Sequence, residues 1–347
     1  MRNWIKAAMV AATVVFAGGC STDLEVNAPY KEITVVYGLM STNEVTHWVL
    51  INRAFLGEGD AFIYAQIPDS NQYTDAQLQG AVIEELDNGT VVNTYPLLDS
   101  ILDNRVEGTF YNPQHKVYYF NAANLNTNRD YRFRAVAKGN EVTASTPMVN
   151  DFLINATDQN PNVKIGLVNT NGNYQDYELN WTSGKDGRRY QVDYVFKYVE
   201  VRNGTDSTAK AIKLRMGTRV SGGLDGGEAL NATIDGESFY QTLSSIVQDD
   251  GSVEKRVFKG IDFEFWVASD EYHTYLQLAD PVTGIVEERP DYTNITNGYG
   301  LLGSRYFKSV NAKQLNTESL DELINGQYTG TLRFCSPLTT QPGIGCN

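Results

Sequence analysis

The stretch Leu125-Asn126-Thr127-Asn128-Arg129-Asp130-Tyr131 is the most informative in this 347-residue chain, because it opens a strand. Phe133 and Ala135 follow on the same side as Tyr131, Gly139-Asn140 supplies a turn, and Val142 to Thr146 returns before Pro147. Apolar side chains at every second position line one face of a strand, and proline, lacking an N–H, ends the ladder. The same period extends upstream. Ile33, Val35 and Tyr37 alternate with Thr34, Val36 and Gly38, and Val45 to Ile51 forms a further apolar run. Gly80 to Leu86 and Thr90 to Tyr95 flank Asp87-Asn88-Gly89, whose Asn-Gly pair supplies the positive φ angles of a hairpin turn. Tyr118 to Asn121 reads as one more strand.

A leucine six residues before a tyrosine that opens an alternating strand resembles the tyrosine corner of fibronectin type III and immunoglobulin-like sandwiches. Residues 31–150 are therefore expected to form one β-sandwich. Asn150 to Asn162, rich in Asn, Asp and Pro, marks the expected boundary. Beyond it, Leu179 and Trp181 precede the turn at 183–187, and Tyr190, Val192, Tyr194, Phe196 and Tyr198 alternate. A Trp followed by such a strand again resembles a fibronectin-like unit. Phe239, Leu243, Ile246 and Val247 have helical spacing, which predicts a helix over Asp235 to Gln248 capped by Asp235. Phe263, Phe265 and Val267 form a strand flanked by Trp266. Leu320, Leu323 and Ile324 predict a short helix capped by Thr317 and stopped at Asn325-Gly326. The expected fold is mainly β, two such sandwiches in tandem, the second (151–334) enlarged with one or two short helices.

The amino terminus predicts export. Arg2 and Lys6 precede an uncharged run from Ala7 to Ala17, too short for the roughly 20 residues of a membrane span. Phe16-Ala17-Gly18-Gly19-Cys20 is a lipobox, so residues 1–19 read as a signal peptide and Cys20 as the lipidated residue that anchors the chain to a membrane. Residues 20–30 read as a polar tether, and Asp23 and Glu25 resemble the acidic signal that sends Bacteroidota lipoproteins to the cell surface. Cleavage removes two basic and no acidic residues, taking the formal charge from −14 to −16. So acidic a chain argues against nucleic acid as a partner. Two cysteines remain, Cys335 and Cys346. An even pair in an oxidising compartment reads as a disulfide closing the tail 335–347.

No motif carries catalysis, and no cofactor or metal is implied. The three histidines, His47, His115 and His273, have no partner at metal-ligand spacing. Glu271 and His273 would share a face on a strand, which is two ligands at most. The glycine-rich run 221–227 lacks the Lys-Ser/Thr of a phosphate cradle and reads as a mobile loop. Residues 169–176 lack the acidic first position of a calcium loop and read as a turn. Asp99-Ser100-Ile101 and Asp206-Ser207-Thr208 resemble Bacteroidota O-glycosylation sites, making Ser100 and Ser207 candidates.

Asn297-Gly298-Tyr299-Gly300-Leu301-Leu302-Gly303-Ser304-Arg305, with the lipobox and Val35-Val36-Tyr37-Gly38-Leu39, resembles a large group of Bacteroidota lipoproteins of unknown function. Many of these are encoded beside TonB-dependent outer-membrane transporters. The resemblance implies a lipid-anchored protein of the outer membrane, exposed at the cell surface, that is a non-enzymatic binding or accessory protein. Its implied partners are the membrane through Cys20, an outer-membrane transporter, and a glycan or peptide ligand. Asn297, Gly298, Gly300, Gly303 and Arg305 are the candidate partner contact, the alternative being that the glycines only shape a strand crossing. Two other functions compete: a surface adhesin or host-interaction module, and a hydrolase with an unmarked carboxylate pair. Scattered Tyr and Trp suit stacking on sugars, but aromatics on alternating strands are more often core.

Overall fold

The structure is a computed structural model that describes residues 33–54, 61–111, 113–204, 206–279, 292–339 and 341–346. The fold is mainly β, 49% strand and 15% helix among the described residues, arranged in several sheets. The first half runs β1 (Thr34–Met40), β2 (Thr46–Arg53), two short helices α1 (Ala61–Ala65) and α2 (Pro68–Asn71), then β3 (Leu78–Asp87) and β4 (Thr90–Pro96). It continues with β5 (Leu98–Leu102), β6 (His115–Asn121), β7 (Asp130–Ala137) and β8 (Asn140–Pro147). The second half opens with β9 (Leu153–Ile154), α3 (Ala156–Gln159), β10 (Tyr177–Thr182), β11 (Arg189–Arg202), β12 (Asp206–Val220) and β13 (Ala229–Ile234). There follow α4 (Gly236–Ile246), β14 (Lys255–Ala268), α5 (Asp270–Ala279), β15 (Gly298–Lys313), α6 (Thr317–Asn325) and β16 (Phe334–Cys335).

The local chemistry explains these elements. Asn88 and Gly89 take positive φ in the β3–β4 turn. Tyr131 is fully buried at the start of β7, and its hydroxyl accepts from the Asn126 amide at 2.8 Å, as the tyrosine corner predicts. The Asp235 carboxylate caps α4 by accepting from Ser238 N at 2.7 Å. At α6 the cap is Asn316, accepting from Ser319 N at 2.9 Å, not Thr317, which is already helical.

One strand joins the halves. β15 is 16 residues long. Its first seven run parallel to β1, Thr34 opposite Gly298 through Met40 opposite Ser304, and its remainder pairs antiparallel with β14. The result is one nine-stranded sheet, β12-β11-β14-β15-β1-β2-β6-β5, with β16 beside β14. A four-stranded sheet, β4-β3-β7-β8, and a three-stranded sheet, β13-β10-β9, complete the strands. Leu302 of β15 belongs to the first core while Val310 belongs to the second, and both are even-numbered. Strand alternation therefore puts both cores on one side of the great sheet and leaves its other side outward. The second core is ring-rich: Phe196 meets Phe258, Phe334 and Phe239 at centroid distances of 5.2, 5.6 and 5.9 Å. Burying each such ring is worth about 1.5–3 kcal/mol.

Packing crosses the expected boundary at residue 150. Ile295 and Leu302 complete the first core, although they lie far beyond 150 in sequence. The boundary segment is also pinned. Lys308 donates to Asp151 Oδ1 and the Phe152 carbonyl, and the buried Lys313 ammonium donates to the carbonyls of Thr157, Asn160 and Val163. A composition rich in Asn, Asp and Pro marked a boundary here, and lysines distant in sequence satisfy its carbonyls.

Candidate functional site

The outward side of the nine-stranded sheet changes character along its width. Where β1, β2, β6 and β5 form it, the outward positions are Val35, Tyr37 and Leu39; Thr46, Trp48, Leu50 and Asn52; His115, Val117, Tyr119 and Asn121; and Leu98, Ser100 and Leu102. None of these is Asp, Glu, Lys or Arg, in a chain with 42 acidic and 28 basic residues. Leu98, Tyr119 and Trp48 lie in one row across three strands, Trp48 and Tyr119 having ring centroids 5.2 Å apart. Trp48 is 43% exposed. The row is edged by Thr46, whose hydroxyl donates to Asn121 Oδ1 at 2.8 Å.

Next to this half, α5 lies alongside the first part of β15. Tyr272 packs where a side chain on Gly303 would stand, and Tyr275 meets Tyr37 edge-on at 6.0 Å. Beyond α5 the outward side becomes charged. Trp266 pairs with Phe307 across β14 and β15, centroids 4.5 Å apart, and remains 40% exposed. Beside them Asp193, only 2% exposed, is engaged by Arg215 Nε at 3.0 Å, Lys213 Nζ at 3.3 Å and Gln191 Nε2 at 3.0 Å. Lys213 also meets Glu264 at 2.7 Å and lies 5.1 Å over the Trp266 ring. Burial opposes the Lys213 charge, but Glu264 and Asp193 outweigh it and hold the ammonium above its ordinary pKa.

The residues singled out in the sequence fall elsewhere. Cys20 lies outside the described residues. Cys335 and Cys346 are joined, with Cα atoms 4.9 Å apart. Ser100 and Ser207 sit on β5 and β12, the two edge strands of the great sheet. The candidate contact from Asn297 to Arg305 is used inside the protein. A Cβ on Gly300 would collide with the Val36 carbonyl, one on Gly298 would stand 2.7 Å from the Thr34 carbonyl, and Gly303 makes room for Tyr272. Arg305 Nη2 donates to Oε1 of Glu44 in its own chain at 2.6 Å. Asn297 donates through its side chain to the Glu141 carbonyl. Each of these glycines stands where a neighbour comes close: the backbone of β1 at Gly298 and Gly300, the side chains of Leu39 and Tyr272 at Gly303.

Glu271 and His273 lie on α5, not on a strand, so two residues of separation points them apart. Glu271 is held by Thr146, and burial raises its pKa; its neighbour Asp270 is engaged by Arg188 at 3.2 Å. Among the described residues no group of three or more His, Cys, Asp and Glu is placed to hold a metal ion. The run 221–227 is not free: the Glu228 carboxylate accepts from Ser221 Oγ and Gly222 N, so it takes the place an anion would need. Residues 169–176 form a turn closed by Asn169 Oδ1, which accepts from the amides of Asn171 and Asn173.

Trp48, Tyr119, Trp266 and Phe307 were not distinguishable in the sequence as surface residues. In β2 the outward Trp48 and Leu50 are as apolar as the inward Val49 and Ile51, so alternation gave no sign of which parity faces out. No protein-family model matches the chain, and no curated protein matches it.

Proposed function

We propose that this protein is an outer-membrane, surface-exposed lipoprotein of the Bacteroidota kind, and that it acts as a non-enzymatic accessory protein docked to a TonB-dependent transporter. The observation that carries the reading is the uncharged outward half-sheet bearing Trp48, Tyr119 and Leu98 on an otherwise acidic chain. Surfaces depleted of charge and enriched in aromatics are what protein partners bury. The tether adds a geometric argument. From Cys20 to Glu32 are thirteen residues, at most about 45 Å when extended, and they lead directly into β1, whose Val35, Tyr37 and Leu39 belong to that same face. An anchored chain thus holds the face within reach of a membrane protein at high effective concentration.

The sandwich reading belongs with this proposal. Taking β1 to β8 as strands A to G, with β4 as C′ and β5 as D, the pairings correspond to A-B-E-D against C′-C-F-G, an immunoglobulin-like order. The second half corresponds to A-B-E against C′-C-F-G, a fibronectin type III-like order, with β15 as its last strand. Tyr190 opens β11 with its hydroxyl accepting from Gly184 N at 2.8 Å, which repeats the device used by Tyr131.

Affinity purification from gently solubilised outer membrane tests the function. A stoichiometric transporter should accompany the parent and be lost with Trp48→Asp or Tyr119→Asp, while both variants stay folded and membrane-associated. Recovery of the parent as a lone monomer, or variants that retain the partner, would defeat the proposal.

A further inference from the structure

The charged half of the same sheet face poses a different recognition problem. Asp193, Glu264, Lys213 and Arg215 are two anions and two cations in mutual contact, so the patch is balanced. In the middle of it stands the indole of Trp266, 40% exposed, with Phe307 against it and the Lys213 ammonium 5.1 Å over part of its ring. An apolar protein surface laid here would strip water from Lys213, Arg215 and Glu264, at a cost that protein interfaces avoid in their centres. An anion or polyanion would find each of these cations already held by a carboxylate. A polyhydroxylated ligand without charge suits what remains. Its C–H face stacks on the indole, and its hydroxyls meet fixed planar groups. Arg215 commits Nε to Asp193 while its side chain stays 57% exposed, and Gln191 commits its amide nitrogen and keeps its carbonyl oxygen.

The positions are rigid as well. Gln191, Trp266 and Phe307 occupy one row across three hydrogen-bonded strands, β11, β14 and β15, and Arg215 projects from the next strand, opposite Asp193. Groups carried on registered strands lose little entropy when a ligand arrives. We propose that Trp266 and Phe307, rimmed by Gln191 and Arg215, which the buried Asp193 holds in place, form a binding site for a neutral glycan. The site lies on the opposite half of the sheet from the transporter-docking face and does not rest on that reading.

Affinity electrophoresis of the full chain in mild detergent, through gels containing laminarin, xylan, mannan, dextran or amylose, tests the assignment. Indole fluorescence provides a second readout. At least one of these neutral polysaccharides should retard the parent, and raising sodium chloride from about 0.05 to 0.5 M should leave the retardation unchanged, because no net charge is neutralised. Trp266→Ala should weaken binding about tenfold or more, Trp266→Phe should restore part of it, and Gln191→Ala should weaken it without disturbing the fold. Because Trp266 is at the surface, unchanged thermal melting would show that these variants fold. No retardation by any of the five polysaccharides, equal retardation of parent and Trp266→Ala, or binding only to heparin with a steep salt dependence would each overturn the assignment.

Discussion

At the scale of single residues, buried polar side chains in this protein are used as stitches. Ser304 Oγ donates to the Pro147 carbonyl and accepts from Val149 N, joining β15 to the end of the first half. Glu84 on β3 is the titratable example. Burial raises its carboxyl pKa, but hydrogen bonds from Arg134 at 2.9 Å and Arg132 at 2.7 Å outweigh that and hold it below the ordinary 4.5. A folded pKa below the unfolded one adds stability that is fully present above the unfolded value and lost as pH falls through the folded value. Glu84→Gln should therefore cost about 1–2 kcal/mol at neutral pH, the arginines being partly exposed and screened. Urea midpoints measured from neutral pH down to about pH 3 should show the gap between parent and variant closing below 4.5. A gap independent of pH would remove the ion pairs from the explanation.

At the scale of elements, β15 does what two separate strands would otherwise do, and glycine makes that possible. Gly300 has φ +118, and any side chain there meets the Val36 carbonyl. Gly139, in the β7–β8 turn, has φ +84 with open space around it. Alanine at the two sites separates backbone strain from collision. Gly139→Ala should cost about 1 kcal/mol, the penalty of a left-handed residue, whereas Gly300→Ala should cost roughly 3 kcal/mol or more, since β1 must also move away. Denaturant titrations of both variants check this. Equal losses would mean that the β1–β15 approach is not a tight constraint.

At the scale of the whole molecule, the shared strand predicts shared folding. The first core contains Ile295 and Leu302, and β1 has a ladder partner in β15 that a chain ending at residue 150 lacks. A fragment of residues 21–150 should therefore fail to unfold cooperatively, and the parent should show coincident fluorescence and circular dichroism transitions. A cooperative, natively packed fragment would restore two independent domains. The same continuity places Trp48 and Trp266 on one face of one sheet, which puts the proposed docking surface and the proposed ligand surface side by side on a common support.

The residues could declare the local structure because local structure is short-range chemistry. The Asn88-Gly89 turn, the Asp235 cap and the Tyr131 corner each involve partners within six positions in the chain, and all three stand as read. The pairing of Cys335 with Cys346 was read from an even count and an expected oxidising compartment, and the two are joined. Alternation marked strands but not their outward side, because a strand with apolar residues at both parities, such as Trp48 to Ile51, carries no polarity signal. The span from Asn150 to Asn162 read as a boundary because its composition favours turns, and the lysines that pin it are about 150 residues away. The glycines at 298, 300 and 303 were conspicuous, yet a missing Cβ does not say which neighbour needs the space. That neighbour is β1, some 260 residues earlier, and a parallel ladder between such distant segments is decided by how the finished cores pack.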